Sequence, residues 1–112
     1  VVRVVVHVTD PGPQKWAGVL KSVQNLIKEF DAEIEVEVVT HGEGIGLGLR
    51  GSPQLRQVRE LLDQGVVIAA CANTLHARNI GPEGLIDGVV VVSSGVGEVV
   101  RKQVEGWIYL RP

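Results

Sequence analysis

Cys71 is the only cysteine in this chain of 112 residues. One thiol cannot close an internal disulfide and cannot supply a cysteine-rich zinc site. Aromatic residues are also scarce: Trp16, Phe30, Trp107 and Tyr109. Neither sign of charge dominates, because 11 basic against 13 acidic residues leave a net charge of −2. Such a balance lacks the basic field that nucleic-acid binding usually needs, so no direct nucleic-acid partner is expected. No apolar stretch approaches the roughly 18–20 residues of a membrane span, so no membrane partner is expected either. The opening run Val1–Val8 is too short for a signal peptide and lacks a small-residue cleavage site, and a cytoplasmic location follows as the expectation. Three scattered histidines and one cysteine make no dense metal-binding motif.

Valine is abundant, with 22 copies, and Leu, Ile, Val and Phe together make up 40 of the 112 residues. That content excludes intrinsic disorder. The length fits a single domain over residues 1–112. Valines clustered in short runs indicate strands buried on both faces.

The apolar pattern alternates between two kinds of segment. Val1–Val8 reads as a buried strand, stopped by Asp10-Pro11-Gly12-Pro13. Trp16, Val19, Leu20, Val23, Leu26, Ile27 and Phe30 then follow helical spacing. Ile34–Thr40 is a second strand. Its Glu33, Glu35 and Glu37 alternate with apolar residues, which predicts one face open to solvent or a partner. Ser52-Pro53 predicts a helix start, with Leu55, Val58, Leu61 and Leu62 as its stripe and Gly65 as its stop. Val66–Ala70 is a third strand ending at Cys71. Short helical pieces are expected at Leu75–Asn79 and Pro82–Leu85. A fourth strand spans Val89–Val92, a helix spans Gly95–Glu105, and Trp107–Leu110 is a fifth strand. This alternation predicts an α/β fold with a parallel sheet and helices on its faces, flavodoxin-like in appearance.

In open parallel sheets, ligands bind beyond the carboxyl ends of the strands. The candidates there are Thr9 and Asp10, His41 and Glu43, Cys71, Asn73 and Thr74, and Ser93 and Ser94. Cys71 is the most informative. Asn73 and Thr74 are placed to cap a helix beginning near Leu75, whose N–H groups and dipole would stabilise a thiolate. A helix end supplies roughly 0.3–1 kcal/mol, less than about one pKa unit. A strongly reactive thiolate therefore needs a cation as well, with Arg78, His76 or His41 as the candidates. The alternative is a small buried apolar residue, the commoner fate of a free cysteine. His41 is either an acid–base or anion-binding group or a solvated loop residue. His7 lies among valines and reads as a satisfied core histidine near the ligand edge. Asp10 fits an Asp-Pro-Gly turn as well as a cation- or donor-orienting role. Trp16 reads as packing against the sheet or a partner. Gly46-Leu47-Gly48-Leu49-Arg50-Gly51 has the letters of a dinucleotide fingerprint but follows the wrong strand, so a flexible or close-packed loop is expected. Phosphate-binding P-loop and nucleophile-elbow motifs are absent.

The segment Gly65-Val66-Val67-Ile68-Ala69-Ala70-Cys71-Ala72-Asn73-Thr74-Leu75 resembles the cysteine region of DsrE/DsrF-like proteins. Val6-His7-Val8, Asn25-Leu26-Ile27, Thr40-His41-Gly42 and Gln103-Val104-Glu105-Gly106-Trp107-Ile108-Tyr109 resemble them too, in the same order. The resemblance implies a three-layer α/β/α sandwich with a five-stranded, mainly parallel sheet. It implies a small sulfur carrier that forms trimers or hexamers, accepts a persulfide on Cys71 and hands it to an acceptor protein. On the strand-end rule, His41, Asn73, Thr74, Asp10 and Ser93 would line the site, and no metal or organic cofactor would be required. One departure is Arg78-Asn79-Ile80, where relay carriers tend to have Arg-Gly. That places the chain nearer the compact single-domain members. Two other readings stay open: a homo-oligomeric module that binds a small anionic ligand with Cys71 merely packed, and a flavodoxin-like cofactor binder.

Overall fold

The computed structural model describes residues Val1–Pro112. Its elements are β1 (Val2–Val8), α1 (Pro13–Glu29), β2 (Ile34–Thr40), α2 (Leu55–Asp63), β3 (Val67–Cys71), α3 (Ala72–Ala77), β4 (Val90–Val92), α4 (Gly95–Val104) and β5 (Ile108–Leu110). The 3₁₀ segments Gly42–Gly48 and Pro82–Gly84 join them. No helix is long and apolar enough to cross a membrane.

All five strands are parallel, in the order β4-β3-β2-β1-β5. This order dictates the layers. The steps from β1 to β4 run in one direction across the sheet, and right-handed crossovers put their helices on one face. The step from β4 to β5 reverses direction and carries α4 to the opposite face. Trp16, Val19, Leu20 and Val23 of α1 and Val58 and Leu61 of α2 pack on Val4, Val6, Val36, Val38 and Ile68. On the other face, Val99 of α4 packs on Val5 and Val39. The result is the three-layer sandwich with a five-stranded sheet.

Several local expectations need correction. Ser52 does not cap α2. Its Oγ accepts the Gln54 N–H at 3.1 Å, closing a turn before the helix starts at Leu55. Gly65 does end it, with Gly65 N–H donating to the Leu62 carbonyl and Val66 N–H to the Leu61 carbonyl, both at 3.0 Å. The glycine-rich stretch is close-packed, because Ile45 and Leu47 are fully buried. Trp16 is buried, with its indole N–H donating to the Asp10 carbonyl at 2.8 Å. Glu33 and Glu35 are exposed, but Glu37 is only 3 % exposed beneath α4, so β2 has no continuous acidic outer face.

Glu37 occupies that position as a partly protonated acid. Burial, first, and the neighbouring Glu98 carboxyl push its pKa up to about 7, against the pull of Lys102. The same hydrogen bond holds Glu98 below its ordinary value, helped by Arg101 and Lys102. Lys102 Nζ lies 3.6 Å from Glu37 Oε1 and 4.5 Å from the Trp107 ring centroid. Two carboxyls and a cation therefore hold α4 on the sheet.

Candidate active site

The connections after β3 and β4 leave on opposite faces, and a crevice opens between such strands. Cys71 ends β3 at this point. Ala70 faces the α1 side with Ile45 and Leu75, so the alternation of a strand turns the Cys71 side chain toward α4.

Helix α3 starts at Ala72, so Cys71 itself is its N-cap residue. Asn73 and Thr74 lie within the first turn and do not cap it. Burial pushes the Cys71 thiol up, but the backbone N–H groups of Thr74, Gly95 and Asn73 and the Thr74 hydroxyl draw it below its ordinary value. No side-chain cap hydrogen bond forms at Cys71. Cys71 as a residue is only 4 % exposed.

Gly95, the first residue of α4, brings its N–H there because it has no side chain. A Cβ on Gly95 would lie 2.7 Å from His41 Cβ and 3.3 Å from Cys71 Cβ. His41 and Cys71 thus flank the same glycine. Backbone pairing continues one residue past β2, where His41 N–H donates to the Val8 carbonyl at 3.1 Å. Gly42 N–H donates to Thr74 Oγ1 at 2.9 Å. The Thr74 hydroxyl thereby ties the His41 loop to the cysteine helix and keeps its proton for the sulfur. Thr74→Val should cost about 1 kcal/mol in stability, because the Gly42 N–H loses its acceptor. It should also raise the Cys71 pKa, read as slower iodoacetamide alkylation near neutral pH. An unchanged alkylation profile would remove Thr74 from the site.

The remaining expected residues lie elsewhere or contribute little. Asn73 offers its N–H, while its side chain is exposed. Ser93 is exposed, and Ser94 caps α4 by accepting the Gly97 N–H at 3.0 Å. The Asp10 carboxylate faces Lys15 at 3.8 Å and Arg111 at 3.5 Å, at the end of β1. His76 and Arg78, expected as cations for the thiol, are exposed at the far end of α3.

Two residues that the strand-end rule passed over, His7 and Tyr109, join the site. His7 Nε2 lies 3.0 Å from His41 Nδ1, with the two rings nearly parallel and their centroids 4.8 Å apart. His7 Nδ1 lies 2.9 Å from the Tyr109 hydroxyl. Burial and the like-charged His41 and Arg111 lower the His7 pKa, and burial and Arg111 lower that of His41. Both shifts favour the neutral imidazole. Alternation along β1 was the available signal, since His7 shares its face with Val5 rather than with the core of Val4, Val6 and Val8.

The largest surface groove, about 740 Å³, lies between α1 and α2 and is lined by Lys21, Gln24, Asn25, Gln57 and Glu60. It holds no thiol and lies on the opposite face from Cys71.

Fold and site together define an open parallel α/β domain with a thiol at the switch in strand connections. The chain belongs to the DsrE/DsrF-like family, whose pattern matches residues 4–112. A solved structure described as a protein of unknown function, MTH1491 from Methanobacterium thermoautotrophicum, is 39 % identical. The match covers 100 % of both chains, with a TM-score of 0.96. The ychN protein from E. coli shares the fold at 18 % identity and a TM-score of 0.86, again over 100 % of both chains. No curated protein matches the chain.

Proposed function

We propose that this chain is a sulfur carrier with Cys71 as its acceptor. The supporting observation is the thiol at the strand-end crevice, drawn below its ordinary pKa by surrounding donors in spite of its burial. The Cys71 thiolate attacks the outer sulfur of a donor persulfide R–S–SH. The S–S bond breaks, Cys71–S–SH forms, and the donor leaves as R–S⁻. An acceptor thiolate then attacks the outer sulfur of Cys71–S–SH and regenerates the Cys71 thiolate. No electrons are exchanged with an outside couple. The rate depends on thiolate fraction and on access. His41 and the Thr74, Gly95 and Asn73 N–H groups stabilise the anion.

A homo-oligomer, trimeric or hexameric, belongs to the same proposal. Val96, Val100 and Val104 form an exposed stripe along α4, and Val67 and Val90 are exposed on the sheet beside it. Donor and acceptor proteins are the remaining partners.

The 4 % exposure of Cys71 favours a second reading, a small-ligand-binding module in which the thiol only packs. Intact mass spectrometry after incubation with a persulfide donor, without reductant, separates the two. Addition of one sulfur atom to the parent and none to Cys71→Ser is the expected result. No addition to either, with a thiol that also resists alkylation, would favour the binding module.

A further inference from the structure

Four side chains at the carboxyl edge of the sheet lie on the α4 face in spatial order: Cys71, His41, His7 and Tyr109. The last three are linked by direct contacts, 3.0 Å from His41 Nδ1 to His7 Nε2 and 2.9 Å from His7 Nδ1 to the Tyr109 oxygen. Each imidazole thus spends one or both of its nitrogens within the row. His41 Nε2 makes no hydrogen bond within the protein and lies on the ring edge away from His7. At the other end Tyr109 is 39 % exposed, so its hydroxyl meets water.

A chain of neutral imidazoles has two hydrogen-bond directions. In one, Tyr109 donates to His7 Nδ1, His7 Nε2–H donates to His41 Nδ1, and His41 Nε2 carries a proton. In the other, every tautomer is reversed and His41 Nε2 presents a lone pair. Moving one proton along the row converts one form into the other, with no charge left on either ring. The Arg111 guanidinium, 2.9 Å from Thr9 Oγ1 and 3.5 Å from Asp10 Oδ1, acts electrostatically on both rings. That fixed positive charge disfavours an imidazolium and favours the neutral, reversible chain.

We propose that Tyr109, His7 and His41 form a proton relay that carries a proton between water at Tyr109 and the Cys71 crevice. It rests on the sulfur-carrier reading for its substrate. When the Cys71 thiolate displaces R–S⁻, His41 Nε2–H protonates that sulfur. His41 Nδ1 takes the His7 Nε2 proton, His7 Nδ1 takes the Tyr109 proton, and water restores the phenol. Transfer onward to an acceptor thiol runs the row in reverse. In this relay His41 hands its proton to the leaving sulfur, while His7 and Tyr109 are positioning residues that act through it.

The test compares the parent with Tyr109→Phe, which removes one oxygen and keeps the ring, and with His7→Gln. The probe is 2-hydroxyethyl disulfide: attack by the Cys71 thiolate forms a mixed disulfide and releases 2-mercaptoethanol thiolate, which reads the relay where no persulfide forms. Long-range ¹H–¹⁵N spectra report the histidine tautomers independently. The expected result is a shift of both tautomer populations in Tyr109→Phe. With it should come an exchange rate about tenfold lower below pH 8 and a smaller solvent isotope effect, which fits a partial loss of general acid–base assistance. Unchanged tautomers, or altered tautomers with the parental rate and pH profile, would overturn the relay. A parent thiol inert to the disulfide would overturn it too. Normal relay behaviour with no sulfur uptake from a persulfide would leave the relay standing and refute the carrier reading alone.

Discussion

Gly44→Ala is expected to lower the melting temperature by roughly 10 °C, read by circular dichroism. A Cβ on Gly44 would collide with the carbonyl oxygen of Val8 and approach Val8 Cγ1 to 2.9 Å. The collision is with strand backbone, which cannot rotate away. Relief requires the 3₁₀ segment to lift from β1. That motion strains the bond from His41 N–H to the Val8 carbonyl, 3.1 Å long. It also disturbs Ile45 and Leu47, both fully buried. Overpacking of a tight core costs about 1–3 kcal/mol, and a weakened backbone bond adds about 1 kcal/mol. Gly18→Ala is the matched control. It lies on the exposed side of α1 with no heavy atom within 4 Å of the added carbon. There alanine should stabilise by about 0.5–1 kcal/mol, because it has less conformational freedom to lose in a helix. Equal effects at the two sites would refute the close-approach account of Gly44.

The second large effect concerns Glu37 and pH. Its pKa in the folded chain is about 7, whereas an unfolded glutamate titrates near 4.5. Between these values the folded chain keeps a proton that the unfolded chain releases. Stability from this group is full below about pH 4.5, falls as pH rises toward 7, and is flat above that. The loss is about 3 kcal/mol. Glu98, held low by its hydrogen bond to Glu37, contributes stability above pH 4.5 that is lost only at lower pH. His7 and His41 oppose the trend below pH 6.5, because the folded chain holds them neutral. Comparison with Glu37→Gln removes both complications. The variant keeps an N–H donor for Glu98 and cannot ionise. Urea unfolding should find the two proteins within about 1 kcal/mol at pH 5, and the variant more stable by about 3 kcal/mol at pH 8. Parallel stability curves across that range would mean that Glu37 is ionised throughout and paired with Lys102.

Most of the layer architecture was legible in the sequence. The strand and helix signals around Val1–Val8, Ile34–Thr40 and Val66–Cys71 are local, and local patterns survive tertiary packing well. Offsets arose at Ser52 and Asn73, where a side chain able to cap a helix met a backbone that started the helix elsewhere. The site was only partly legible for a different reason. Cys71 and His41 end adjacent strands, and the strand-end rule finds them. His7 and Tyr109 enter only once β5 is known to lie beside β1, and no local pattern encodes that neighbour. Glu37 misled for the same reason. Its alternation marked an outward face correctly, but α4 crosses over part of that face.

The pairing of β5 with β1 joins the two ends of the chain. His7 and Tyr109 stand 102 positions apart along the chain. A chain made from its N-terminus can lay β2 and β3 beside β1 and place His41 near Cys71 while β5 is still being synthesised. The row ending in Tyr109 closes only when that last strand docks. On the proposed relay, thiol chemistry in a nascent or C-terminally frayed chain would run without its outlet to water, and full competence would report that the whole chain has folded.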